Sequence, residues 1–179
     1  MFGHATPFLN VLPMLETTSR LLDLWRTRCG GRNIPDRTDF HAEDFAPWMG
    51  RLIICDVEAE PRRFRLRLIG TVIRELDGRD YTGWYLDEAL QEPLRRHVLG
   101  QWGLCVDRRR PVLVNSASST DPEKRIEMEK LMLPLSVDSD AVGRVLTYFQ
   151  IRRANRSATR WPTLQEMEPA DRSSVRVID

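Results

Sequence analysis

The alternation of hydrophobic and polar residues divides the chain into helical and strand-forming segments. Over 15–29 the apolar positions approximate one helical stripe that stops at two glycines, which predicts a first helix. Five shorter runs are rich in branched and apolar residues, and they predict strands. These runs are 51–58, 62–70, 111–119, 125–136 and 143–151. Between the second and third runs, 71–90 reads as short helical pieces split by glycines, and Pro93 opens a longer helix that reaches about Arg108.

The order of these segments predicts an α+β fold. Consecutive strands in each group are close enough to pair antiparallel, and the helical stretch joins the first two strands to the last three. We therefore expect a five-stranded antiparallel sheet with a helical crossover on one face and an extra N-terminal helix. Asp39 is expected to cap a short helix that continues through Trp48.

The same pattern sets the expected domain limits. An N-terminal extension covers 1–14, and one domain that includes the first helix covers 15–152. Beyond it, 153–179 is poor in apolar residues and has no clear period, so it is predicted to be a mobile tail.

Composition and charge narrow the class of protein. The chain has 179 residues, with 27 Lys and Arg against 26 Asp and Glu, which leaves a formal charge of +1. This balance gives no overall field that would steer nucleic acid, and no apolar run approaches the roughly 18 to 20 residues that span a bilayer. The first residues also lack the basic start of a secretory signal. We expect a cytoplasmic protein with no nucleic-acid or membrane partner.

Motifs for catalysis and metal binding are missing from the sequence. Cys29, Cys55 and Cys105 lie far apart and suggest neither a disulfide framework nor a zinc site. The nucleophile, metalloprotease and dinucleotide motifs are absent. Asp87 and Glu88 are adjacent, so on a helix they would diverge by about 100° rather than act as an acid and base pair. No catalytic or metal-binding residue is predicted.

Residues 78–85 read GRDYTGWY, with two glycines at the spacing of a phosphate-binding loop. Trp84 and Tyr85 stand where that loop needs a lysine and a hydroxyl, so a nucleotide site is not favoured. A structural turn fits better, in which Gly78 and Gly83 adopt positive φ while Asp80 and a following Thr bond to local backbone amides.

Three blocks of sequence resemble the PAS sensor family, in its compact bacterial stand-alone branch. They are LWRTRCGGRNIPDRTDF, FRLRLIGTVIRELDGRDYTGWYLDE and EKLMLPLSVDSDAVGRVL, and the middle block is the most specific. The resemblance runs from about Leu21 to Ile151. It implies a sheet in the strand order 2-1-5-4-3, a cavity between the sheet and the crossover helices, and sensing or scaffolding in signal transduction, usually as a homodimer.

The resemblance implies a ligand cavity without naming its ligand or cofactor, because PAS domains bind haem, flavin, organic acids, metals or nothing. Arginine forks suit carboxylate or phosphate, so Arg74 and Arg79 are candidate anion binders. His97, on the long helix, is the one candidate for an axial haem ligand, although a lone helical histidine is more often a surface or packed residue. The side chains expected to line the cavity are Leu66, Leu68, Trp102, Leu133 and Tyr148.

The leading functional hypothesis is a stand-alone sensor that binds a small molecule and signals to a protein partner in trans. The apolar helix 15–29, expected outside the sheet core, would offer a surface for self-association. The alternatives are a ligand-free interaction adaptor and, further behind, a small enzyme on a related α+β fold. An apolar cavity with one or two polar groups would favour the sensor, and a filled core would favour the adaptor.

Overall fold

The computed structural model describes residues 12–117, 126–154 and 173–179. The helices are α1 (Glu16–Cys29), α2 (Thr71–Asp77), α3 (Leu86–Ala89) and α4 (Leu94–Arg108). The strands are β1 (Leu52–Ala59), β2 (Arg62–Ile69), β3 (Val112–Ala117), β4 (Ile126–Ser136), β5 (Val142–Ala154) and β6 (Ser174–Val177). This is the predicted α+β class, and the five predicted strands, helix α1 and helix α4 occur in the predicted order.

One antiparallel sheet contains every strand of the described residues, in the order β2-β1-β5-β4-β3-β6. Its first five members follow the order 2-1-5-4-3 that the family resemblance implies. The prediction of five strands is corrected to six, because β6 pairs with β3 from Val112–Val177 to Asn115–Ser174. Because β6 has four residues, its sequence signal is weak. Its position is fixed by pairing with the open edge of β3. The part of the predicted tail from 155 to 172 lies outside the described residues.

Helix α1 covers one face of the sheet. Leu21, Leu22 and Trp25 are almost fully buried, and the Trp25 indole N–H donates to the Pro134 carbonyl of β4 at 2.9 Å. The expectation that this helix lies outside the core and presents an apolar surface for self-association is therefore wrong. The stripe is apolar because it packs on the sheet of its own chain.

The crossover helices cover the opposite face. Helix α4 packs against β3, β4 and β5, while α3 packs on β2. Trp102 and Cys105, on the inner side of α4, are buried. The core of the domain therefore has two layers, one between the sheet and α1 and the other between the sheet and the crossover helices.

The segment before β1 differs from its prediction. Instead of one helix from Asp39 through Trp48, it forms three short 3-10 turns. Asp36 caps the first of them by accepting the Thr38 backbone N–H at 2.9 Å, and Asp39 lies inside that turn. Pro47 has no backbone N–H to continue an i to i−4 ladder, so the local turns replace a regular helix.

Candidate functional site

The GRDYTGWY segment forms the predicted turn. Gly78 and Gly83 have φ of 73° and 90°, and Asp80 Oδ1 accepts the Thr82 backbone N–H at 2.9 Å and its hydroxyl at 2.6 Å. The Gly83 N–H donates to the Leu66 carbonyl at 2.6 Å. Because that amide is bonded to the edge of β2, it is not available to cradle a phosphate.

The two arginines proposed as anion binders occupy different places. Arg79 lies over the Trp84 ring at 4.5 Å and contributes to the wall of an internal cavity. Arg74 Nη1 lies 3.0 Å from Asp80 Oδ2 in an exposed ion pair, outside that cavity. The hydrogen bonds from Thr82, with a further one from Arg74, lower the pKa of Asp80. Arg74 therefore supports the turn.

The cavity lies between the sheet and helices α2 to α4 and encloses about 150 Å³. Its lining is largely apolar and includes Ile53, Leu66, Ile69, Val72, Ile73, Leu86, Leu90, Val98, Trp102, Met128 and Phe149. Leu66 and Trp102 are in the places predicted for them. The exposed apolar side chains of the lining are Leu76 and Ile151, at 36% and 37% exposure, and together with the exposed Arg51 and Arg79 they mark where the cavity approaches the surface.

Leu68 does not line the cavity, because β2 carries a bulge. Leu66 pairs with Cys55 and Leu68 pairs with Ile54, which leaves Arg67 as an extra residue between them. An extra residue reverses the alternation of side chains beyond it. Ile69 therefore takes the cavity position that strict alternation assigns to Leu68.

Leu133 and Tyr148 are buried away from the cavity, on the sheet face covered by α1. The Tyr148 hydroxyl donates to Gln150 Oε1 at 2.9 Å, and the same oxygen accepts the Thr17 hydroxyl of α1. Leu133 and Glu129 are four residues apart on β4, so their side chains share one face of the sheet. Glu129 accepts the Leu15 backbone N–H at 3.0 Å. Both faces of β4 are covered, so its apolar run gives no indication of which side faces the cavity.

A chain of polar side chains crosses the cavity wall. Lys130, on β4, donates from Nζ to Gln101 Oε1 of α4. That bond fixes the orientation of the amide, so Gln101 Nε2 donates to His97 Nε2 at 2.8 Å. The Ser173 hydroxyl lies 3.4 Å from the same ring nitrogen. His97 therefore accepts at Nε2 and carries its ring proton on Nδ1.

Burial lowers the pKa of two members of this row of polar side chains, Lys130 and His97. Lys130 is 8% exposed, and desolvation lowers its pKa to about 7. Its Nζ also lies 4.5 Å from the centre of the Trp102 ring. Burial, followed by the nearby charge of Lys130, lowers the pKa of His97. At neutral pH the site thus holds a neutral imidazole and an amine close to its own pKa.

Comparison with known proteins assigns the chain to a family. A family model described as PAS domain matches residues 14–150. The chain belongs to the PAS domain family. No curated protein matches it. Domains of this family typically act as sensors rather than as enzymes, and the sheet order and cavity of the present PAS domain agree with that assignment.

Sequence reasoning missed Lys130 and Gln101 as site residues of this PAS domain. A signal was present, since Lys130 is one of two lysines in a chain with 25 arginines and stands in the apolar run of β4. Its contacts with Gln101 and His97 could not be predicted, because α4 and β4 are brought together by the fold.

The buried cysteines and His97 do not belong to any metal-binding cluster of three or more ligands in the described part of this PAS domain. Within residues 12–117, 126–154 and 173–179, no three His, Cys, Asp or Glu side chains are arranged to hold a metal ion. Burial raises the pKa of Cys55 to about 12, so its thiol stays protonated. A haem would need a larger space than 150 Å³, since pockets for drug-sized ligands span about 300 to 1,000 Å³. No helix in the described ranges is long and apolar enough to cross a bilayer.

Proposed function

We propose that this PAS domain is a cytoplasmic sensory or regulatory domain that binds a small molecule in its cavity and signals to a protein partner in trans. The observation that carries the proposal is the largely apolar cavity of about 150 Å³ with a hydrogen-bonded row of polar side chains in its wall, the buried Lys130 and Gln101 and the half-buried His97. Binding sites for small molecules combine these two features, because apolar walls give affinity and a few polar groups give orientation.

The cavity favours a sensor over a ligand-free adaptor. Protein interiors are packed at the density of organic crystals, and a domain that serves only as a scaffold gains nothing from an internal void. A void of about 150 Å³ lined by apolar side chains has held a benzene-sized molecule in another protein. The exposed Leu76 and Ile151 at its rim provide an apolar route for entry.

The polar chain offers a route by which a bound ligand would affect the surface. Lys130 and Gln101 face the cavity, His97 follows them, and Ser173 beside β6 ends the chain. A ligand that engages Lys130 would compete for its hydrogen bond with Gln101. The change would then reach β6 at the edge of the sheet, where a partner protein or a second copy of the domain would read it.

Native mass spectrometry of the protein purified from its own host tests the proposal. We expect a retained small molecule, and the same spectra give the oligomeric state, for which a homodimer is proposed. Ala117→Leu would extend a buried side chain into the cavity and lower ligand retention at least tenfold. Ala59→Leu, at the exposed end of β1, is the matched control and should retain the ligand. Absence of any retained molecule, together with no binding of small aromatic probes, would favour the adaptor.

A further inference from the structure

We infer that the cavity binds a small carboxylate with an apolar body, whose carboxylate group pairs with Lys130 while its body lies against Trp102 and Leu66. This inference rests on the proposed function and assigns a chemical class to its ligand. It is carried by the position of Lys130, a buried cation in a cavity whose lining is largely apolar.

In the described part of the chain, no carboxylate forms an ion pair with Lys130. Among residues 12–117, 126–154 and 173–179, none of the ion pairs includes Lys130, and its hydrogen bonds are limited to the one with Gln101. An ammonium group has three N–H donors, so two are left for a ligand. Burying a charge is costly unless it is paired, and an anion in the cavity would supply both the charge and the acceptors.

The ligand class follows from the size and charge of the site. A carboxylate carries one negative charge and two acceptor oxygens, which match one ammonium group with two unused donors. A phosphate would bring more negative charge, whereas Lys130 is the one buried cation among the described residues of the wall, since Arg51 and Arg79 are exposed. A neutral apolar ligand would leave the two donors unpaired, at a cost of about 1–3 kcal/mol for a buried donor.

The charged groups around the cavity agree with an anionic ligand. Apart from Lys130, the titratable side chains in its wall are Arg51, Asp77, Arg79, Tyr81 and His97. Two of these five are arginines, and burial, followed by the charge of Lys130, lowers the pKa of His97 so that its imidazole is neutral at pH 7.

Lysine suits a site that is alternately empty and filled. An arginine at this position would stay charged in the empty cavity, because its guanidinium does not lose a proton in proteins. Lys130 can do so, since burial brings its pKa to about 7. A bound carboxylate would raise that pKa again, so binding would take up a proton and weaken as the pH rises above 7.

Calorimetric titration with three ligands of the same size tests this inference. The probes are benzoate, toluene and benzylamine, which present an anion, a methyl group and a cation on one ring. We expect wild-type protein to bind benzoate at least tenfold more tightly than toluene and to reject benzylamine. Lys130→Met should weaken benzoate at least tenfold and leave toluene within threefold. Arg108→Met, which removes an exposed cation at the end of α4, should change neither.

The pH profile of the wild-type protein gives a test that needs no variant. Benzoate affinity should fall at least tenfold between pH 7 and pH 9, while toluene affinity stays constant. If toluene binds and benzoate binds no more tightly, or if the preference survives in Lys130→Met, the carboxylate assignment is overturned and the proposed cavity function stands. If wild-type protein binds neither toluene nor benzoate, both proposals are overturned.

Discussion

Lys130 occupies an environment very different from that of a free side chain in water. It is buried beside Gln101, and burial lowers its pKa to about 7 from an ordinary value of 10.5. The unfolded chain therefore binds one more proton than the folded domain over the interval between these values. The contribution of Lys130 to the free energy of unfolding is therefore largest above the pKa of the unfolded chain, and it is lost as the pH falls through the pKa of the folded domain.

The first prediction concerns this linkage. Between about pH 7 and pH 8.5, the free energy of unfolding of wild-type protein should rise by up to about 1.4 kcal/mol per pH unit from the Lys130 proton. Lys130→Met should flatten this slope. Urea unfolding at intervals of half a pH unit measures it. Arg108→Met should keep the wild-type slope, and an equal slope in Lys130→Met would contradict a lowered pKa.

The cysteines set the upper limit of the pH range in which the effect of Lys130 can be measured. Burial raises the pKa of Cys29, Cys55 and Cys105, so their thiols ionise more easily in the unfolded chain. Near and above pH 9 this effect opposes that of Lys130, because ionisation of the thiols stabilises the unfolded state. The measurement is therefore cleanest below pH 8.5.

Single residues also show how far sequence reasoning reaches. Leu66 and Trp102 were placed in the cavity wall by alternation and by helical spacing, and both lie there. Leu68 was assigned by the same rule, but the bulge at Arg67 reverses the alternation. A bulge of this kind depends on how two strands pair, and the sequence of one strand does not reveal it.

At the scale of elements, the predicted helices and strands match the structure closely. Helix α4 ends at Arg108, as predicted, and α1 begins one residue after the predicted start. The elements with a clear period are long enough to bury one face, so pattern and structure agree. The segment from Asp36 to Arg51 has no such period, and its three turns are fixed by local capping instead.

The second prediction compares two glycines, Gly70 at the N-cap of α2 and Gly100 inside α4. Gly70 precedes α2, and a Cβ added there would lie 2.3 Å from the Gly50 carbonyl oxygen. Since backbone atoms cannot move aside easily, Gly70→Ala should destabilise the domain by about 1–3 kcal/mol. In contrast, a Cβ at Gly100 would meet no atom within 4 Å. Gly100→Ala should therefore stabilise α4 by about 0.5–1 kcal/mol. Urea unfolding measures both changes.

The paired design makes this prediction easy to contradict. Both variants add one methyl group, so a general effect of alanine would move them in the same direction. Equal stabilities for Gly70→Ala and wild type would mean that the turn at Met49–Arg51 does not lie against the start of α2 in solution.

At the scale of the whole molecule, the sheet is covered on both faces and extended at one edge. Helix α1 covers one face, the crossover helices cover the other, and β6 protects the edge of β3. The sequence predicts that the apolar face of α1 is a dimer surface, but this face is buried against the sheet of its own chain. A homodimer remains part of the proposed function, with the edge at β6 and the exposed rim of the cavity as the surfaces to test.

The third prediction concerns β6. Deletion of residues 173–179 removes the pairing from Val112–Val177 to Asn115–Ser174 and exposes the backbone of β3. At about 1 kcal/mol for each lost hydrogen bond, the free energy of unfolding should fall by about 1–3 kcal/mol. The open edge should also promote self-association, which sedimentation velocity would detect.

A control separates backbone pairing from side-chain packing. Val175 is 42% exposed on β6, so Val175→Thr keeps the backbone pairing and should change neither stability nor self-association. If the deletion leaves both properties unchanged, the protein does not depend on β6 for its edge, and the domain limit of 15–152 predicted from sequence would be sufficient.

The sequence by itself determined helices α1 and α4, strands β1 to β5, the strand order implied by the family resemblance, and the turn at Gly78 and Gly83. These features depend on local periodicity, on glycine conformations and on a long specific motif, all of which can be read along the chain. Tertiary structure alone decided that α1 is buried on the sheet, that β6 completes it, and that Lys130 meets Gln101 and His97 in the cavity. Each of these involves residues distant in sequence, whose meeting depends on packing and register.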